Sequence, residues 1–242
     1  MPAGRWIRSR RRGYNRGMRD SSAIKKTAAE LGFDLCGIAP AERFEAAPRG
    51  HHPREIYPKC RSVIVYAKQM PGAPLFATNL VPYTLVCRVG AEELDRLGLR
   101  LCLALEKSGI GAVIIPSDDP YEHWEAARQY GRAILSLRHA GRLAGLGALG
   151  RNTLLMNREF GSLIQLGAVL SNVEIEPDAL ADFEACPPDC RLCLEVCPQK
   201  ALDGTTVDQK LCRAKSIIRN EKGYVLKGCN LCRRVCPRVT GF

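Results

Sequence analysis

Cys186-Pro187-Pro188-Asp189-Cys190-Arg191-Leu192-Cys193-Leu194-Glu195-Val196-Cys197-Pro198 and, further on, Cys229-Asn230-Leu231-Cys232-Arg233-Arg234-Val235-Cys236-Pro237 decide the reading of this 242-residue chain. With Cys212 standing alone between the two runs, eight of the twelve cysteines fall within residues 186–242. Nothing in the composition points to secretion, so the expected compartment is reducing, namely cytoplasm. Cysteines at such spacings are then metal ligands rather than disulfide halves.

Three thiolates can converge on three corners of one iron–sulfur cube only from a single tight loop, and a following proline turns the chain so that a fourth faces away. The spacing C-x2-C-x2-C-x3-C-P does this in two-cluster bacterial ferredoxins, where the fourth cysteine of each run crosses to the other cluster. The same crossover here assigns Cys186, Cys190, Cys193 and Cys236 to cluster one, and Cys197, Cys212, Cys229 and Cys232 to cluster two. The first gap is one residue longer than usual, and the second run takes its first thiolate from Cys212, upstream. Two structural zinc sites would also use sets of four thiolates. Zinc ribbons, however, pair separated C-x2-C knuckles, whereas three-cysteine runs closed by Cys-Pro occur twice here. The expectation is two [4Fe-4S] clusters in a ferredoxin-like domain over 181–242. Cys36, Cys60, Cys87 and Cys102 lie outside both sets and read as small buried hydrophobes.

The formal charge of +11 is unevenly spread. Residues 1–20 hold seven arginines against one aspartate, and residues 186–242 hold eleven basic residues against five acidic ones. A basic face attracts nucleic acid or an acidic redox partner, and equally offsets the negative charge of thiolate-bound clusters. Residues 1–19 read as a basic disordered tail, or as an upstream extension of a chain that starts at Met18. Ser9-Arg10-Arg11-Arg12 superficially matches a twin-arginine export signal, but no apolar stretch follows it. No apolar run approaches the roughly 18 to 20 residues that span a bilayer, so no membrane contact is expected.

Between tail and cysteines, residues 20–180 read as one body in which helices and strands alternate. Helices are expected over 20–32, 90–108 and 124–143 and short strands over 33–39, 62–67, 112–115 and 162–171, with a glycine-punctuated turn near 144–155. Glu174 to Pro188 is acidic and proline-bearing and reads as a linker. The fold class is therefore α+β: an α/β body followed by the two-cluster domain.

Three stretches, kept in order, carry a family resemblance: LGFDLCGIAPAERF (31–44), LAGLGALGRNTLLMNREFGSLIQLGAVLSN (143–172) and the cysteine module with its lone Cys212. The chain resembles epoxyqueuosine reductase and its shorter double-cluster relatives. The middle stretch is the most specific, being similar to the family's A-G-L-G-x-x-G-K-N-T-L-L-I. The resemblance implies a body like that of cobalamin-dependent reductases, with two clusters feeding electrons to cobalamin or to a substrate. It also implies that Gly145, Gly147, Gly150, Arg151, Asn152 and Thr153 lie near a corrin or the cluster domain. The implied partners are a redox donor protein of ferredoxin or flavodoxin type, and a tRNA or small-molecule substrate.

The family's catalytic acid sits in an arginine-aspartate-tyrosine-histidine stretch before a long helix. Ungapped matching places Arg88 at that position in this chain, and Phe242 ends it without the helical-repeat extension by which longer members grip tRNA. Other proton donors to consider are Asp119, Tyr121 and His123, in a polar aromatic loop, and His139, just before the glycine turn. Against these stand ordinary readings: an aspartate-capped helix start, and a histidine packed on a helix. Two other classes of function stay open, an electron-transfer protein with no chemistry of its own and an RNA-binding modification protein.

Overall fold

A computed structural model describes residues 20–242; the basic tail expected over 1–19, with its arginine run and Met18, lies outside the described residues. The Asp20 carboxylate accepts from the Ser22 N–H at 3.0 Å and so caps helix α1 (Ser21–Leu31), which ends at Gly32 in the left-handed region, φ 101°. Ile24 and Ala28 are its buried face. Strand β1 (Leu35–Pro40) follows, then the single turn α2 (Pro53–Ile56) and the β-branched strand β2 (Ser62–Gln69), buried along its first six residues.

Helix α3 (Leu80–Lys107) starts ten residues before the amphipathic period begins. Asn79 caps it, and Pro82 is tolerated because the first turn leaves its N–H groups free of intrahelical bonds. The early turns carry apolar residues on more than one side, with Val81, Leu85 and Val89 exposed, because they border the cysteine segment rather than the sheet. After β3 (Ala112–Ile115), the helix expected over 124–143 is replaced by a hairpin, β4 (His123–Glu125) with β5 (Tyr130–Arg132), and only α4 (Leu137–Leu143) is helical. Gln129 turns the hairpin at φ 46°, and Gly131 lies against the Tyr121 and Trp124 rings, where a methyl group would sit tightly, 3.2 Å from ring atoms. Tyr121 and Trp124 stack with centroids 6.3 Å apart, an aromatic pairing that overrides the weak helical periodicity.

The short pair β6 (Ala148–Leu149) and β7 (Leu155–Met156) forms the glycine-rich turn, and β8 (Ile164–Ser171) closes the sheet. The cysteine segment contributes α5 (Leu192–Glu195), α6 (Gln209–Ser216), a hairpin of β9 (Ile217–Arg219) with β10 (Val225–Lys227), and α7 (Leu231–Arg234).

The main sheet runs β1-β2-β8-β3 and every pairing is antiparallel, so the body is α+β. Its two faces are both covered. Val63, Val65, Ala168 and Leu170 pack on Ala140 and Ala144 of α4, while Ile64, Tyr66 and Val169 pack on Ile24 and on Leu94, Leu101 and Leu105 of α3. Each such fully buried aliphatic side chain contributes roughly 1.5–3 kcal/mol. Tyr66 needs glycine on both sides: a methyl at Gly98 or Gly167 would overlap its ring or hydroxyl.

The expected linker is pinned to the body. The Asp178 carboxylate accepts from the Ile38 N–H at 2.9 Å and pairs with Lys25, and Arg43 donates to the Asp178 carbonyl at 2.7 Å. At the far end, Val239 packs against Met70, Leu75 and Leu163, and the Ser162 N–H donates to the Val239 carbonyl at 3.1 Å. The cysteine segment is therefore clamped against the body along a seam. Among the described residues no helix is long and apolar enough to cross a membrane.

Candidate active site

The cysteines sort into two groups. Cys186, Cys190, Cys193 and Cys236 line one small cavity together with Asn152 and Met156. Burial, and after it the neighbouring Cys186, Cys190 and Cys236, push the Cys193 thiol pKa up. Cys232 is pushed to about 11, by burial first and then by Cys212 and Cys229, with a smaller push from Cys193 of the first group. Each group thus holds thiols close enough to feel one another's charge. Cys197 stands with neither by this criterion; its Sγ accepts from the Ala201 N–H at 3.4 Å. Among the described residues no three His, Cys, Asp or Glu side chains converge on a single-ion site. The first group surrounds the small cavity it shares with Asn152 and Met156.

The glycine-rich turn meets this cysteine loop directly. The Arg151 N–H donates to Cys186 Sγ at 3.4 Å, and the Arg151 guanidinium donates to the Pro188 and Cys190 carbonyls. Asn152 Nδ2 donates to the Cys232 carbonyl at 3.3 Å, and Arg138 donates to the Thr153 carbonyl at 2.6 Å. Gly145 and Gly147 are packed against the Ala179 and Met156 carbonyls, and Gly150 against the Asn152 side chain. Their lack of a side chain serves the close approach of backbone to backbone. Of the turn's six residues, Asn152 lines the small cysteine cavity, and Arg151 and Asn152 reach the cysteine segment.

A larger cleft opens along the seam. Its inner cavity, about 330 Å3, is walled on the body side by Tyr83 and Cys87 of α3, Asp118 and Arg138, and on the other side by Lys227, Cys229 and Arg233. Ser162 lines it too, with its hydroxyl buried and unpartnered among the described residues. An outer cavity of about 510 Å3 shares Ser117, Asp118 and Arg138 with the inner one and adds Tyr121, Tyr130 and His139. A third, about 390 Å3, shares His51, Ser136 and His139 with the outer one and is otherwise mostly apolar, with Phe44 and Leu143. The three adjoin as one groove that begins beside Cys229.

Proton donors distribute unevenly along this groove. Asp118, which sequence reasoning passed over for its neighbour, borders both inner and outer cavities. Like Asp119 it is exposed, yet the cleft walls partly desolvate its carboxyl and push its pKa up, against the pull of Lys227. Asp119 is exposed and lines none of these cavities. The Tyr83 phenol is pushed to about 12, chiefly by burial, with Arg233 opposing. His139 is held below the usual imidazole range by burial and by Arg138 and Arg142, and its Nδ1 lies 2.7 Å from the Ser136 hydroxyl. His123 is exposed on the hairpin, 3.4 Å from Glu125. Arg88 faces solvent on α3, while Cys87, expected to be a buried hydrophobe, faces the cavity. The adjacent position on a helix points some 100° away, so matching by sequence alone could not say which of the two enters the cleft.

No family model matches the chain. A curated epoxyqueuosine reductase of Leadbetterella byssophila is 28% identical over 91% of this chain and 80% of its own length. Other curated epoxyqueuosine reductases align over about 45% of this chain and about a third of themselves, at 33–36% identity. The solved epoxyqueuosine reductase of Streptococcus thermophilus superposes with a TM-score of 0.62 at 21% identity, covering 90% of this chain and 66% of that one. The catabolic reductive dehalogenase NpRdhA gives a TM-score of 0.65 at 20% identity, over 90% of this chain and 31% of that one. The chain thus spans just under two thirds of the solved reductase, and at these identities the structural likeness is one of fold.

Proposed function

We propose that this relative of the epoxyqueuosine reductases is a two-cluster iron–sulfur reductase whose substrate or cofactor occupies the groove between body and cysteine segment. The observation that carries this is the inner cavity, walled by Tyr83, Cys87 and Asp118 on one side and by Cys229 on the other. An electron carrier without chemistry of its own has no use for a ligand-sized cleft at its cluster, and this one adjoins two further cavities.

The proposed ligand sets are Cys186, Cys190, Cys193 and Cys236 for cluster one, and Cys197, Cys212, Cys229 and Cys232 for cluster two. The clustering of thiols supports the first set in full and Cys212, Cys229 and Cys232 of the second. When bound, the clusters supply one-electron transfer. Arg151 and Asn152 hold the cysteine loops against the body, and Arg233 places positive charge beside Cys232.

Cobalamin is the candidate cofactor, because related dehalogenase work describes B12-dependent dehalogenation and the groove's three adjoining cavities have the extent a large planar group needs. The apolar walls at Phe44, Leu135 and Leu143 would exclude water there. The substrate reading follows a solved epoxyqueuosine reductase that holds an epoxyqueuosine-modified tRNA-Tyr stem loop. Reductive opening of an epoxide needs a proton, and Asp118 and Tyr83, which line the inner cavity as Arg88 does not, are the proposed donors. The cytoplasm is the proposed compartment, since free thiol ligands survive there.

The test is anaerobic reconstitution followed by cobalamin titration and incubation with an epoxyqueuosine-bearing stem loop. Two [4Fe-4S] signals, a retained corrin spectrum and conversion of the modified base are expected. Reconstituted protein with both clusters but neither corrin retention nor base conversion would return the chain to the class of electron carriers.

A further inference from the structure

The outer side of the cysteine segment carries a surface that the groove does not use. The β9–β10 hairpin packs on the first half of α3, where the Lys227 N–H donates to the Thr84 hydroxyl at 2.9 Å. Directly after it come Cys229 and Cys232, and Asn230 donates to the Leu75 carbonyl at 3.3 Å. The exposed side chains of this face are apolar at its centre. Tyr224 is 64% exposed, Phe76 57% and Val81 54%, with Leu85 and Val225 beside them in the fold. Monomer surfaces rarely keep such groups together without a partner.

Charge on the same face is one-sided. Arg88, Arg219, Lys222 and Arg234 are exposed, and the hairpin's one acidic residue is Glu221. Among the described residues none of these four cations takes part in an ion pair. Arg234 lies over the Phe76 ring, 6.0 Å from its centroid, and Arg219 donates only to the Gly223 carbonyl, at 3.2 Å. Cations that merely balance a cluster belong against its ligands; Arg219 and Lys222 instead stand out on a hairpin, facing water.

We infer that this face, centred on Tyr224, Val81 and Phe76 and ringed by Arg88, Arg219, Lys222 and Arg234, docks an acidic one-electron donor protein. The inference rests on the two-cluster reading above. An apolar centre with a charged rim is the anatomy of a transient protein interface, and the uncompensated positive charge selects a partner of opposite sign. The hairpin leads straight into Cys229 and Cys232, so a donor seated here faces the second cluster's ligands. Each encounter passes one electron: the donor's centre is oxidised by one, the cluster is reduced by one, and no bond or proton moves.

Reduced acidic ferredoxin and dithionite serve as the two reductants for the anaerobically reconstituted full chain, with cluster bleaching followed by stopped flow. In the double variant R219E/K222E the ferredoxin rate should fall roughly tenfold or more at low salt, and its salt dependence should flatten. The dithionite rate should be unchanged, which also reports that the variant is folded and loaded. Y224S should slow ferredoxin and not dithionite, with little change in salt dependence. An unchanged ferredoxin rate in R219E/K222E overturns the inference. So does loss of RNA stem-loop binding with the ferredoxin rate intact, which would assign the face to nucleic acid. Absence of any dithionite-reducible cluster in the native chain overturns the two-cluster reading itself, and the docking inference with it.

Discussion

The Arg151 backbone N–H points at Cys186 Sγ, 3.4 Å away, while the same residue's guanidinium grips the Pro188 and Cys190 carbonyls. One residue of the body's glycine-rich turn thereby sets the shape of the first cysteine loop. A hydrogen bond to a thiolate sulfur stabilises its charged form, so the turn would tune the cluster as well as hold it.

The ligand partition is open to direct counting. Cys236→Ala removes the proposed crossing ligand of cluster one, and Cys212→Ala the proposed isolated ligand of cluster two. Each should lower the iron content of the reconstituted protein from about eight to about four per chain, with one cluster signal kept. Loss of the same signal by both variants would refute the crossover assignment.

Asp118 gives a pH-dependent signature. Its folded pKa is raised, so the ionised form is the disfavoured one in the native protein. The stability this group contributes is therefore present below the ordinary carboxylate pKa near ~4 and is lost as pH rises through the folded value. Asp118→Asn should be more stable than the native chain at pH 7 and equal to it at the acid end, as read by urea midpoints. The same variant should lose turnover of any substrate whose reduction needs a proton.

Ser162 carries a buried hydroxyl that finds no partner among the described residues, facing the inner cavity. Removing an unsatisfied buried polar group recovers its desolvation cost, so Ser162→Ala should stabilise the ligand-free protein by about 1 kcal/mol. That corresponds to a Tm higher by roughly 2–4 °C for a chain of this size. A ligand that uses the hydroxyl would reverse the order, with the native chain gaining more on binding than the variant.

Gly161 sits at φ 54°, and a methyl group there would overlap the Arg238 and Val239 carbonyl oxygens. Gly161→Ala should therefore push the C-terminal segment off the body, at a cost of about 1–3 kcal/mol. Limited proteolysis should then cut near residues 238–242 sooner than in the native chain, alongside a lowered Tm.

The proposed cysteine register rests on the sequence by itself, because cluster chemistry constrains ligands at short, fixed separations that a single loop must supply. The sequence also marked α1 through a cap at Asp20, Ser21 or Ser22, of which the structure uses Asp20, and a stop at Gly32, and β2 through its β-branched run, since those signals are local. The early start of α3 and the β4–β5 hairpin were not legible. At Leu80–Gly90 the helix borders another segment of the chain and its apolar residues, Val81, Leu85 and Val89 among them, do not contrast with a polar face, so the amphipathic period does not mark it. At Tyr121–Gly131 a stacked aromatic pair over a glycine outweighs helical propensity. Only the tertiary structure decided which residues face the groove. Cys87 turns in and Arg88 out, and Asp118 borders the cavity while Asp119 does not, because adjacent residues project in different directions and the wall they meet comes from residues more than a hundred positions away.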